Sequence, residues 1–160
     1  MSFTGQLVWI TGASSGIGEA LARELAGRGA RLVLSARREA ELLRVRQGLP
    51  RADEHAVVPL DLADPASLRA AARRVEAEVG PVDVLVHNGG ISQRSLAVDT
   101  SLEVDRKILE VDYLGVVVLT KAVLPSMLSK GGGRLVVVSS LVGYVATPYR
   151  SAYSAAKHAL

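Results

Sequence analysis

Tyr153 and Lys157 stand at i and i+4 close to the end of this 160-residue chain, where Ser151 opens a helical stretch. Residues at that spacing share one helix face. Alone, such a pair is ordinarily a surface pair; in a chain that also carries a glycine-rich turn it reads as a proton donor and the cation that activates it. Ser140 precedes the pair, at the end of an apolar run covering residues 134–139. The glycine-rich turn is Thr11-Gly12-Ala13-Ser14-Ser15-Gly16-Ile17-Gly18, between a short apolar run and a helical pattern. Glycines there let the backbone approach phosphates, and a helix N-terminus offers free N–H groups and the positive end of its dipole. Gly12, Ser14, Ser15, Gly16, Ile17 and Gly18 are therefore candidates to hold a dinucleotide pyrophosphate. The spacing is Gly-x-x-x-Gly-x-Gly rather than the commoner Gly-x-Gly-x-x-Gly. A purely structural tight turn is the competing reading; the position after a strand and before a helix weighs against it.

Three further places fall at strand ends, where open α/β sheets take their ligands. After the second apolar run the chain reads Ser35-Ala36-Arg37-Arg38, with no acid to hold a ribose 2′-hydroxyl. An acid would repel a 2′-phosphate, whereas Arg37 can grip one bidentately. NADP(H) is thus the preferred cofactor, with NAD(H) also admissible; the plain alternative makes Arg37 and Arg38 surface charges at a helix start. Asp61-Leu62 follows the third run and can accept from an adenine amino group. His87-Asn88-Gly89-Gly90 follows the fourth, and Asn88 with Gly89 lets an adenosine lie close. Asp and Asn-Gly are also ordinary turn formers. His87 reads as a strand-end residue with a satisfied ring rather than a catalytic one.

The elements that position these residues alternate strand and helix throughout. Strands are expected at residues 7–10, 31–35, 56–60, 82–86 and 134–139, with Pro59 demoting the third to an edge. Helices are expected from Ile17 to Ala26, from Arg38 to Gln47, from Pro65 behind an Asp64 cap to Val79, and from Ser151 onward. Residues 102–128 read as one long helix, adjusted near Pro125. This is an α/β pattern: a doubly wound, Rossmann-like parallel sheet in a single domain over residues 1–160.

Composition narrows the classes. The 49% apolar share is mostly Ala, Val and Leu, which suits strands covered on both faces. The absence of cysteine removes disulfides and thiolate metal sites, and no metal is expected. A formal charge of +3 comes from interspersed acids and bases without a basic stripe or stacking aromatics, so no nucleic-acid partner is expected. The opening residues lack signal-peptide character and no apolar run reaches bilayer length, so a cytoplasmic location without membrane contact is the expectation.

The turn from Thr11 to Gly18, Ser140 and Tyr153-x-x-x-Lys157, in this order and spacing, resemble the short-chain dehydrogenase/reductase family over the whole chain. The stretch from Asn88 to Arg94 and the run Ser139-Ser140-Leu141-Val142-Gly143 look most like the dehydrogenase/reductase member 7 branch, beside the hydroxysteroid dehydrogenases. The resemblance implies a small-molecule carbonyl or alcohol substrate. It makes Tyr153 the general acid in reduction and base in oxidation. Lys157 would also hold the nicotinamide ribose, and Ser140 would fix the substrate oxygen. An ordinary phenol, with a pKa of about 10, is ionised to about one part in a thousand at neutral pH, so a nearby cation matters. Two departures stand out. Asp112, in Glu110-Val111-Asp112-Tyr113, takes the place where the family usually has Asn in a proton relay. His87 takes the place of the first Asn in the family's Asn-Asn-Ala-Gly.

The family continues past the equivalent of Lys157 with further strands and a substrate loop. The resemblance therefore implies a sheet incomplete on its C-terminal side and an unpaired fifth strand prone to pairing with another chain. It also implies a homo-oligomer when full length. An NADP(H)-dependent oxidoreductase is the leading reading. A dinucleotide-binding chain without turnover is the alternative, and a scaffold would leave Ser140, Tyr153 and Lys157 without a purpose.

Overall fold

Between Gln6 and Gly12 the chain offers only apolar side chains until Thr11, and this run forms strand β1 (Leu7–Thr11), buried along its whole length. The computed structural model describes residues 2–160. Its sheet has five parallel strands, β2 (Arg31–Ser35), β3 (Ala56–Val57), β4 (Val84–His87) and β5 (Arg134–Val137) joining β1 in the order β3-β2-β1-β4-β5. Period-two alternation splits the strand residues between two cores. Val8, Ile10, Leu32, Leu34, Val84 and Val86 face Ala22 and Ala26 of α1 (Gly16–Gly27) and Leu42 and Val45 of α2 (Glu39–Gln47). On the opposite face Leu7, Trp9, Val33 and Leu85 meet Leu68 and Val75 of α3 (Pro65–Glu78) and Leu119, Val123 and Met127 of α5 (Gly115–Ser129). Each fully buried side chain of this size contributes about 1.5–3 kcal/mol. Trp9 is buried with its polar edge satisfied, donating to Ser35 Oγ at 2.8 Å. The expected doubly wound α/β architecture is the observed one.

The chain runs outward from β1 through β2 to β3, then returns to place β4 on the other side of β1. Connections therefore diverge above the carboxyl ends of β1 and β4, and a crevice opens there. Asp64 caps α3 as expected, accepting from Ala66 N at 2.8 Å, with Pro65 in the first turn.

Three expectations need correction. Strand three is shorter than residues 56–60, because Pro59 has no N–H; bonds from Val58 N to Leu34 O and Leu60 N to Ala36 O, both 3.1 Å, still carry it along β2 at the sheet edge. The long helix is adjusted not at Pro125, which α5 accommodates, but at a π turn (Glu110–Leu114) joining α4 (Leu102–Leu109) to α5. The stretch Leu102–Ser129 is also long and apolar enough, by length and composition, to cross a membrane, contrary to the sequence expectation. Its inner stripe packs on the sheet and α3. At the far edge of the sheet all four residues of β5 are exposed, and the last helix, α6 (Ser151–His158), follows.

Candidate active site

The crevice above β1 and β4 is a cleft of about 440 Å³. Gly12, Ser14, Ser15 and Ile17 line it from the first turn, Arg37 from the end of β2, Asp61 and Leu62 from beyond β3, and Asn88 and Gly89 from beyond β4. Gly16 and Gly18 do not line it. Gly18 belongs to the packing beneath, where a Cβ would collide with the Gly12 carbonyl. Gly12 itself has φ +66, and a Cβ there would lie 2.7 Å from Gly89 Cα, so the tips of β1 and β4 touch backbone to backbone. Thr11 Oγ1 accepts from Asn88 N at 3.0 Å and Gly89 N at 3.1 Å. The Asn88 amide donates to Thr11 O at 3.1 Å and Gly12 O at 3.3 Å. Asn88 thus braces the glycine-rich turn with the side chain that the sequence reading offered to an adenosine.

Ser15, the extended residue before α1, makes no side-chain capping bond, so the first N–H groups of the helix stay open to an anion. From behind, Arg44 of α2 donates to Ser14 O at 3.3 Å and pairs with Glu19 at 2.9 Å. Arg44, and then Arg23, hold the Glu19 carboxyl down to about 2. Arg37 and Arg38 are exposed at the cleft and enter no ion pair among the described residues. One oxygen of Asp61 accepts from Ala63 N at 2.9 Å. Open amides, a backbone floor without Cβ atoms and uncommitted guanidinium groups together fit a nicotinamide dinucleotide.

Ser140, Tyr153, Lys157 and Asp112 lie outside the lining of this cleft; Tyr153, Lys157 and Asp112 come together at its side, next to Gly90 and Ile91, which do line it. Lys157 is 7% exposed. Its Nζ lies 3.4 Å from Asp112 Oδ2 and 5.6 Å from the centroid of the Tyr153 ring, and donates to Val138 O at 3.5 Å. Ser139 Oγ donates to Lys157 O at 3.3 Å, tying α6 to the end of β5. Ser140 Oγ accepts from Val142 N at 3.4 Å, at the start of the turn that follows β5. Asp112, set by the π turn, is fully buried, and its Oδ1 accepts from Ile91 N at 2.8 Å. Burial pushes its carboxyl above the usual range, opposed by the Ile91 N–H and Lys157.

The His87 ring is only half satisfied: Nε2 pairs with Thr120 Oγ1 at 2.8 Å, while Nδ1 has no partner. Burial lowers its pKa to about 4, so it stays neutral. Sequence reasoning missed Gln93. Its side-chain oxygen, in the orientation that satisfies its neighbours, accepts from Ser151 N at 3.2 Å and Ala152 N at 3.1 Å and so caps α6 from a distant loop. No local signal announces a cap supplied across such a sequence separation. It also passed over Thr11 as a brace, and Arg38 and Lys107 at the cleft.

Residues 6–160 match the family described as short chain dehydrogenase. The chain is 51% identical to human "Dehydrogenase/reductase SDR family member 7", with 98% of this chain and 48% of the relative covered. It is 47% identical to the Drosophila melanogaster "Dehydrogenase/reductase SDR family protein 7-like", with 98% and 49% covered. A solved "short chain dehydrogenase/reductase family protein" superposes with a TM-score of 0.89 at 27% identity, covering 99% of this chain and 65% of that one. The chain spans about half the length of the curated relatives it matches. The chain therefore belongs to the short-chain dehydrogenase/reductase family.

Proposed function

We propose that these residues form the dinucleotide-binding and reacting part of an oxidoreductase that moves a hydride between nicotinamide and a carbonyl or secondary-alcohol carbon, using NADP(H) in preference to NAD(H). The observation that carries the reading is the buried Lys157 ammonium beside the Tyr153 ring, at the side of a glycine-floored cleft. Bound in that cleft, the nicotinamide group supplies the hydride in reduction and accepts it in oxidation.

The protein's own residues do the rest. The open amides of α1 and the turn before it hold the pyrophosphate, and Arg37 meets a 2′-phosphate. Lys157 holds the nicotinamide ribose hydroxyls and stabilises negative charge on Tyr153 oxygen. Ser140 donates to the substrate oxygen and fixes it near the Tyr153 hydroxyl. In reduction the Tyr153 proton passes to that oxygen as the hydride reaches the carbon; in oxidation Tyr153 oxygen takes the proton back.

The second reading is a chain that binds the dinucleotide without turning over. The test is NADPH-linked reduction of a panel of carbonyl compounds by the full-length protein, alongside calorimetric titration with NADPH. Turnover supports the oxidoreductase; binding without turnover on any member of the panel supports the silent binder.

A further inference from the structure

Asp112 is held from two sides: its Oδ1 accepts the Ile91 N–H at 2.8 Å, and its Oδ2 faces Lys157 Nζ at 3.4 Å. The loop after β4 closes over it so tightly that a Cβ on Gly90 would lie 2.9 Å from Oδ2. No water-sized gap separates carboxylate from ammonium, and both groups are buried. A lone ammonium beside a phenol favours the phenolate. An ammonium paired with a carboxylate presents a dipole, whose pull on a third group is far weaker than that of a free charge.

We propose that Asp112 is a positioning residue that pairs with Lys157 in place and damps the pull of that ammonium on the Tyr153 hydroxyl. The proposal rests on the oxidoreductase reading and deepens it at the same site.

Other charged groups also flank Tyr153. On its own helix side Arg150 stands 5.8 Å from the ring centroid, with one guanidinium nitrogen donating to Ser92 Oγ at 2.8 Å. From α4, which packs along α6 through Ile108, Asp105 lies one turn earlier on the same face. Tyr113 and Tyr153 both border that small core. From β4, His87 is neutral above about pH 4. Strand β5 carries only Arg134, at its far end, and the segment from there to Tyr149 adds only Tyr144 and Tyr149 as titratable groups.

The experiment is an ultraviolet titration of tyrosinate in the full-length protein without cofactor, with Tyr153→Phe subtracted to isolate Tyr153 from the other tyrosines. Removing the charge in Asp112→Asn should move the Tyr153 midpoint down by roughly one pH unit. The pH at which alcohol oxidation reaches half its maximal rate should move down with that midpoint. Asp112→Glu, which keeps the charge, should retain the parental midpoint more nearly than Asn. An unmoved midpoint, or one that moves up, overturns the proposal. Should Asp112→Asn fail to fold, carboxyl-carbon NMR of the unmutated protein decides: an Asp112 carboxylate ionised at neutral pH supports the ion pair, and a protonated one overturns it. Because the tyrosinate titration and the carboxyl NMR need no cofactor, a failure to bind NADPH or NADH would remove the oxidoreductase reading without disturbing them.

Discussion

Strands β1 and β5 belong to one sheet, yet β1 is buried at every residue and β5 at none. The cleft rests on the first of these, and the proposed reacting corner lies beyond the second. Around the cleft, β1, β2 and β4 are packed by helices on both faces, and the glycine-rich turn is fixed by bonds to Thr11, Asn88 and Arg44. Around Tyr153 and Lys157 the support is thinner. A small core of Ile108, Ala152 and Ala156 is joined by polar ties from Gln93, Asp112 and Ser139. Within residues 2–160, the cleft is held by bulk burial, while the proposed reacting corner is held more by individual polar contacts.

The widest separation of the two halves should come from Tyr153→Phe in the full-length protein. The ring stays and only the hydroxyl goes, so kcat/KM should fall by about 10²–10⁴, the usual worth of a positioned acid. Calorimetric NADPH affinity should be nearly unchanged; near-parental turnover would put the proton donor elsewhere.

His87 tests whether the β4 end that both halves share is held by burial. Buried and neutral, it has a folded pKa of about 4 against 6.5 for the free side chain. Its contribution is present above pH 6.5 and is lost as pH falls from there toward about 4, because the unfolded chain takes up the proton first. The loss should total about 3 kcal/mol. Urea midpoints followed from neutral to mildly acid pH should show that extra loss in the parent and not in His87→Asn. Parallel curves would mean that the ring protonates without unfolding.

Arg37→Ala should touch the cleft alone. NADPH binding should weaken by about 1.5–3 kcal/mol, the value of one charge-assisted contact, while NADH binding holds. Equal losses for both cofactors would remove Arg37 from the 2′-phosphate. Gln93→Ala should act in the opposite sense, on the corner alone. Losing the cap of α6 costs about 1 kcal/mol, read as a lower Tm, and kcat should drop with NADPH affinity unchanged. If affinity falls instead, the two halves are more tightly joined than their burial suggests.

The parallel sheet was legible because its signals are local. Continuous apolar runs mark β1, β2 and β4, the Asp64-Pro65 pair marks the start of α3, and the glycines of the first turn sit between strand and helix. The same holds for the cleft residues, since a strand end in this architecture is already a place in the crevice. The π turn was not legible: Pro125 was the visible irregularity, yet the helix changes pitch at Asp112, where packing against the loop after β4 rather than propensity decides. Gln93 was hidden for the same reason, as its partners are the backbone N–H groups of Ser151 and Ala152.

By itself the sequence determined the residue types: a phenol, an ammonium, a hydroxyl, an arginine with no acid before it, and an aspartate at position 112. Helical spacing alone was enough to put Tyr153 and Lys157 on one face. Tertiary structure decided what each group faces. It turned Asn88 inward to brace a turn, left the His87 ring half satisfied, and set the Asp112 carboxylate 3.4 Å from Lys157. Those outcomes depend on atoms brought together from separate elements, and the electrostatics of a buried charge are set by what surrounds it in space rather than by its neighbours along the chain.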